Sequence, residues 1–282
     1  MIENRVLMDK VLRAALEEDM GAGDITTDAI IDPSAKGKAI LETREQIVLA
    51  GLPVFDRAFE LLSPLIEIEN HYKDGQIVPA GGVICHLSGS LSVILKAERT
   101  ALNFIQRMSG IATLTRKYIE KVGSEKVRVM DTRKTAPGLR FFDKYAVRMG
   151  GGFNHRFGLY DGILIKDNHI TAAGSITKAV ELAKKNASHG IRIEVEVEEL
   201  DRVEEAIKAG ADTILLDNMS TDEIRKAVHM VSGRVPVEVS GGVNLENINE
   251  IARTGVDFIS VGALTHSVRA VDLSLELLPK ND

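Results

Sequence analysis

TILLDNMSTDEIRKAVHMVSGRVPVEVSGG, Thr213 to Gly242, sets two short apolar runs, TILL and VPVEV, on either side of a helical stretch, Thr221 to Val231. Ser220 or Thr221 supplies the expected N-cap. A near-continuous apolar strand, an amphipathic helix and a second such strand describe a parallel sheet covered by helices. The same rhythm continues on both sides. Apolar runs recur at VRVM (127–130), GILI (162–165), IRIEVEV (191–197) and FISV (258–261), with helical spacing at 176–185, 200–209 and 245–254. Six or so units in about 145 residues fit an α/β barrel short of eight strands. A doubly wound open sheet is the main alternative, and the absence of Gly-x-Gly-x-x-Gly after the first strand counts against a dinucleotide fold.

The first hundred residues have a mixed character. Val6–Glu18 has helical spacing that two glycines of MGAGD break. Strand-like runs follow at 38–48 and 66–83, with turn signals at Lys73-Asp74-Gly75 and Pro79-Ala80-Gly81-Gly82. A long helix is expected over 95–122, interrupted at Ser109-Gly110. This part reads as a small α+β domain.

Composition excludes several classes of protein. Hydrophobic residues are 44% and charged residues 27%, ordinary for a globular chain, and no apolar run reaches membrane-spanning length. Cys85 is the only cysteine, so there is no disulfide framework and no cysteine-based metal site, and a small core residue is its plainest reading. The opening MIENRVLMDK lacks the pattern of a signal peptide, so the cytoplasm is the expected compartment. The formal net charge of −6 argues against nucleic acid as a partner. Yet Val127–His169 carries eight Lys/Arg against four Asp. Such a local reversal points to an anionic ligand.

Ligands of parallel α/β folds bind at the carboxyl ends of the strands. Asp131, Thr132, Arg133 and Lys134 follow the first run, and Lys166, Asp167, Asn168 and His169 follow the second. Glu194, Glu196 and Glu198 lie in and after the third, and Asp217 and Asn218 after the fourth. Ser240, Gly241 and Gly242, then Gly262 and Ala263, follow the last two. Arg133, His155, Arg156 and Lys166 form a cationic group suited to carboxylates or phosphates. Glu196 and Asp217 suit a hard cation such as Mg²⁺, and the two glycine-containing exits offer backbone N–H groups to a phosphate. Each residue alone also reads as solvated loop, wet strand face or helix cap. Their joint placement at six successive strand exits points to one shared site.

Together these residues resemble the quinolinate phosphoribosyltransferases. The resemblance runs through EDMGAGDITT (18–27), ERTALNFIQRMSGIAT (98–113), DTRKTAPGLR (131–140), GGGFNHRFGLYDGILIKDNH (150–169), IEVEVE (193–198), ILLDN (214–218), EVSGGV (238–243) and ISVGALTHS (259–267). It implies an N-terminal open-faced α/β sandwich over 1–112, an incomplete TIM-like barrel of about six to seven parallel strands over 113–270, and a tail, 271–282, packing back on the first domain. It also implies an enzyme of NAD biosynthesis that joins quinolinate to 5-phosphoribosyl-1-pyrophosphate (PRPP) with Mg²⁺ and no organic cofactor. The products are nicotinate mononucleotide, pyrophosphate and CO₂. On this resemblance Thr132, Arg133, His155, Arg156 and Lys166 hold quinolinate, with Arg99 arriving from the second subunit of a homodimer. Lys134, Glu196, Asp217, Ser240, Gly241, Gly242, Gly262 and Ala263 face PRPP. Glu196, Asp217, Lys166 and Lys134 are the expected catalytic group, with Glu196 and Asp217 at the metal, directly or through water. Whether dimers stack into hexamers stays open, as does the role of His169. The rivals are a same-fold enzyme for another acid or base and a non-catalytic sensor of a phosphorylated metabolite. The sensor has no use for the arginine cluster, Glu196 and Asp217 together.

Overall fold

The structure is a computed structural model that describes residues 4–124 and 126–279. The end of the tail expected to return to the first domain, 280–282, lies outside the described residues. Asn4 caps α1 (Arg5–Met20) by accepting the Leu7 amide, and Asp24 caps α2 (Ile25–Ile30) by accepting the Thr26 and Thr27 amides. Then come β1 (Lys36–Thr43), β2 (Ile47–Val48) and α3 (Leu52–Leu62), the last with Pro53 in its first turn. β3 (Glu67–Asn70), β4 (Ile77–Val78), β5 (Val83–Ser90) and the long α4 (Leu91–Val122) follow. After these the chain runs β6 (Arg128–Met130), α5 (Arg140–Met149), β7 (Ile163–Ile165), α6 (Asp167–Ala173) and α7 (Ile176–Asn186). β8 (Ile193–Val197), α8 (Leu200–Ala209), β9 (Thr213–Asp217) and α9 (Thr221–Val231) continue the alternation. It ends with β10 (Val237–Ser240), α10 (Ile248–Ala252), β11 (Phe258–Ser260), α11 (Ala263–His266) and β12 (Leu273–Leu277).

The chain divides into two compact units, one of Met1–Arg116, Ala136–Gly151 and Val268–Asp282, the other of Lys117–Thr135 and Gly152–Ser267. The first is built on an antiparallel sheet in the order β12-β1-β5-β3. Strand alternation puts Ala39, Leu41, Cys85 and Leu87 on a buried face, while Lys38, Glu69 and His86 remain exposed. Cys85 is fully buried, the small core residue its sequence context suggested.

α4 runs without a break through Ser109-Gly110, contrary to the interruption expected there. These small residues serve close packing. The Ser109 hydroxyl accepts the Ala50 amide at 3.1 Å, and a Cβ on Gly110 would sit 2.3 Å from the Arg269 carbonyl oxygen. Glycine is tolerated in a helix interior when a neighbouring backbone needs the room.

The second unit is a six-stranded, wholly parallel sheet in the order β6-β11-β10-β9-β8-β7 with helices between its strands. Val195, Ile214, Val239 and Ile259 are buried on one face, and Glu194, Glu196 and Glu238 alternate with valines on the other. Register puts Glu196, Leu215 and Glu238 in one row across three strands. Ser220 caps α9 in a capping box with Glu223, as expected. α10 is shorter than the 245–254 pattern because Asn244 and Asn247 spend their side chains on a turn, Asn244 accepting the Glu246 and Asn247 amides.

Candidate active site

Strand exits of the second unit converge on a cavity of about 380 Å³. Its walls include Thr132, Arg133 and Lys134 after β6, His155 and Arg156 from the loop before β7, and Lys166 after β7. Glu196 of β8, Asp217 of β9, Ser240 of β10, and the deeper Glu238 and Ser260 complete its polar lining. Nine of the expected site residues thus share one cavity: Thr132, Arg133, Lys134, His155, Arg156, Lys166, Glu196, Asp217 and Ser240.

The loop that carries His155 and Arg156 has little regular structure, and polar groups fix it. Phe153 forms a single parallel bridge with Met130. Fully buried Asp131 accepts the His155 amide at 2.9 Å and the Asn154 side chain at 2.7 Å. Arg156 donates to the Gly162 carbonyl at 2.8 Å, while its Nε is buried with no hydrogen-bond partner among the described residues. Burial, and next the like charge of Arg133, pull Arg156 below the usual arginine range. An anion beside Arg156 would offset the repulsion from Arg133 and compensate the charge that burial leaves poorly solvated.

Lys166 pairs with Glu196 across β7 and β8. His169 accepts the Lys166 amide on Nδ1 at 3.0 Å, so the ring fixes the turn that presents Lys166. Asp217 accepts the Asn218 side-chain amide at 2.8 Å. Glu198 lies outside this cavity, exposed beside Glu199 and Arg202. Of Glu194, Glu196 and Glu198, Glu196 alone lines both this cavity and the cleft that holds Glu198.

Gly241 and Gly242 turn away from β10 with φ of +88° and +62°. A Cβ on Gly241 would meet Asn218 Oδ1 at 2.2 Å and its backbone nitrogen at 2.7 Å. Gly262 and Ala263 open the short α11, and a Cβ on Gly262 would lie 3.2 Å from Lys134 Cδ, which places Lys134 beside the β11 exit. These four residues stand at the strand ends without joining the cavity wall. Arg99 is exposed on α4 in the first unit.

Glu238 and Ser260 were not singled out by sequence reasoning. Glu238 is 2% exposed, accepts the Ser260 hydroxyl and approaches His155 Nε2 at 3.6 Å. Burial first, then the charge of Glu194, raise it well above the usual carboxylate range. The signal was present: VEV in β10 repeats the glutamate–valine alternation of IEVEV in β8.

Two family descriptions match the chain: "Quinolinate phosphoribosyl transferase, N-terminal domain" over 24–109 and "Quinolinate phosphoribosyl transferase, C-terminal domain" over 111–276. A probable nicotinate-nucleotide pyrophosphorylase [carboxylating] from Bacillus subtilis is 43% identical over 279 residues, 99% of this chain and 96% of that protein. The chloroplastic nicotinate-nucleotide pyrophosphorylase [carboxylating] of Arabidopsis thaliana is 42% identical, covering 95% of this chain and 82% of the other. The crystal structure of NadC from Streptococcus pyogenes superposes with a TM-score of 0.93 at 44% identity, covering 96% of this chain and 97% of that one. The nicotinate-nucleotide pyrophosphorylase of Francisella tularensis gives 0.93 at 46% identity, with 96% of each chain covered. With both domains matched in order and relatives above 40% identity along almost its whole length, the chain belongs to the quinolinate phosphoribosyltransferase family.

Proposed function

We propose that this cavity joins quinolinate to PRPP and removes one carboxylate, yielding nicotinate mononucleotide, pyrophosphate and CO₂ for NAD biosynthesis. The observation that carries the reading is the convergence of Arg133, Arg156 and Lys166 on the cavity that also holds Glu196 and Asp217. The protein is a phosphoribosyltransferase enzyme by family. Arg133 and Arg156 receive the two carboxylates of the pyridine acid, with Thr132 and His155 beside them. Lys166 exchanges its partner Glu196 for substrate as the site fills. Lys134, next to the β11 exit, faces the pyrophosphate, and the Ser240-Gly241-Gly242 and Gly262-Ala263 turns hold the 5-phosphate.

Departure of pyrophosphate leaves positive charge on the ribose, and Glu196 and Asp217 stand where they stabilise it. The pyridine nitrogen attacks C1, so the alignment enforced by the arginines is a large part of the rate. The resulting quinolinium loses its 2-carboxylate as CO₂, the cationic ring accepting the electron pair, and C2 then takes a proton. Two carboxylates on adjacent strands fit a hard cation, and Glu196 and Asp217 would hold Mg²⁺ directly or through water. When bound, Mg²⁺ neutralises charge on the leaving pyrophosphate. We further place the working enzyme in the cytoplasm as a homodimer whose exposed Arg99 completes the neighbouring quinolinate pocket. Among the described residues no helix is long and apolar enough to cross a membrane.

Steady-state kinetics of two variants test the assignment. Arg133→Ala should raise the quinolinate KM by about tenfold or more with the PRPP KM near wild type. Glu196→Ala should lower kcat by about a hundredfold, as expected when charge stabilisation in the transition state is removed. Wild-type kinetics in both variants would refute the site.

A further inference from the structure

We propose that Glu238 is a positioning residue for the dicarboxylate end of the pocket, holding His155, and through it Arg156, against the barrel wall with the help of Glu194 and Ser260. The inference rests on the reading that His155 and Arg156 receive the substrate's carboxylates, and it adds a residue to that reading.

His155 Nδ1 accepts the backbone N–H of Arg156 at 2.8 Å. This contact assigns the ring proton to Nε2. That nitrogen faces Glu194 Oε2 at 3.0 Å and Glu238 Oε1 at 3.6 Å. One imidazole N–H thus meets two carboxyl groups from β8 and β10. Ser260, one strand further along the sheet on β11, donates to the same Glu238 oxygen. A chain of polar contacts runs from β11 through β10 to the loop, and from His155 into the backbone of Arg156. The guanidinium then reaches the Gly162 carbonyl at 2.8 Å. Asp131 holds the backbone of this loop at His155, and the contacts to the imidazole add a second hold, on the side chain.

A carboxyl group buried to 2% exposure is costly unless hydrogen bonds satisfy it. A second anion beneath a pocket for a dianion would also oppose substrate. The raised affinity of Glu238 for its proton answers both points. In the protonated form it is a neutral strut that accepts from Ser260 and donates toward Glu194. Four other groups face it or act on its charge: Glu194 and Glu196 from β8, His155 from the loop and Ser260 from β11.

The test measures quinolinate and PRPP KM values separately, together with Tm. Glu238→Leu keeps the volume and removes the strut, and should raise the quinolinate KM by about tenfold or more, the usual scale for outer-layer support of a site. The PRPP KM should stay within about twofold. Glu238→Gln should recover most of the loss, because an amide can both accept from Ser260 and donate to Glu194. Ser260→Ala provides a milder variant should Glu238→Leu fail to fold, with a quinolinate KM raised several-fold. An unmoved quinolinate KM in Glu238→Leu, parallel shifts in both KM values, or a Gln variant no better than Leu would overturn the positioning role alone. Failure of the wild-type protein to turn over quinolinate would overturn both this inference and the substrate reading beneath it.

Discussion

Arg156 illustrates how burial and charge combine to make a site. Among the described residues its guanidinium, partly buried beside like-charged Arg133, has one side-chain hydrogen bond, to Gly162, which leaves room in the proposed reading for an anion. Asp56 in the first unit is the opposite case, a carboxyl whose Oδ1 is buried without a hydrogen-bond partner among the described residues. Burial raises it to about 6, with only the Asn70 hydrogen bond opposing strongly. Its folded value lies above its unfolded one, so the folded state binds the extra proton between pH 4 and 6, and stability falls as pH rises through that window. Asp56→Asn removes the penalty. It should raise stability near neutral pH by about 1–2 kcal/mol, discounted for partial exposure, and the gain should vanish below about pH 4. Thermal melts of the pair across pH check this, and an equal gain at all pH values would contradict the cause.

At the scale of elements, the strand ends matter more than the strands. Gly241 combines a left-handed backbone with a clash that any Cβ would make against Asn218, itself at φ +56°. Gly241→Ala should cost about 1–3 kcal/mol in stability. It should also raise the PRPP KM more than the quinolinate KM, since the β10 exit is assigned to phosphate. Equal effects on both substrates would remove that assignment. The alternation of apolar runs and helical spacing was legible because a buried parallel sheet demands it, and the cations at the exits stood out against an acidic chain. Ser109-Gly110 misled because helix propensity weighs glycine locally, while the Arg269 backbone that needs the space lies far away in sequence. Glu238 was passed over for a related reason. A lone glutamate among valines reads as a solvated face until Ser260 and His155 are brought against it.

For the whole molecule, the two units differ in what they ask of their sheets. The antiparallel sheet buries one face and leaves Lys38, Glu69 and His86 exposed on the other. The parallel sheet buries its apolar face and turns Glu196 and Glu238 toward the cavity. The proposed homodimer makes a sharp prediction. Arg99→Ala and Arg133→Ala subunits, each impaired alone, should regain about a quarter of wild-type activity when mixed in equal amounts and allowed to exchange, because about half of the dimers are then hybrids and one of the two sites in each hybrid is intact. No recovery despite demonstrated exchange would place Arg99 outside the neighbour's pocket. The central claim is tested most directly by incubating the purified protein with quinolinate, PRPP and Mg²⁺ and following nicotinate mononucleotide and CO₂, with nicotinate as the alternative substrate. Both products from quinolinate and none from nicotinate are expected, because the arginine pocket needs the second carboxylate. Product from nicotinate at a comparable rate, or none from quinolinate, would contradict the account.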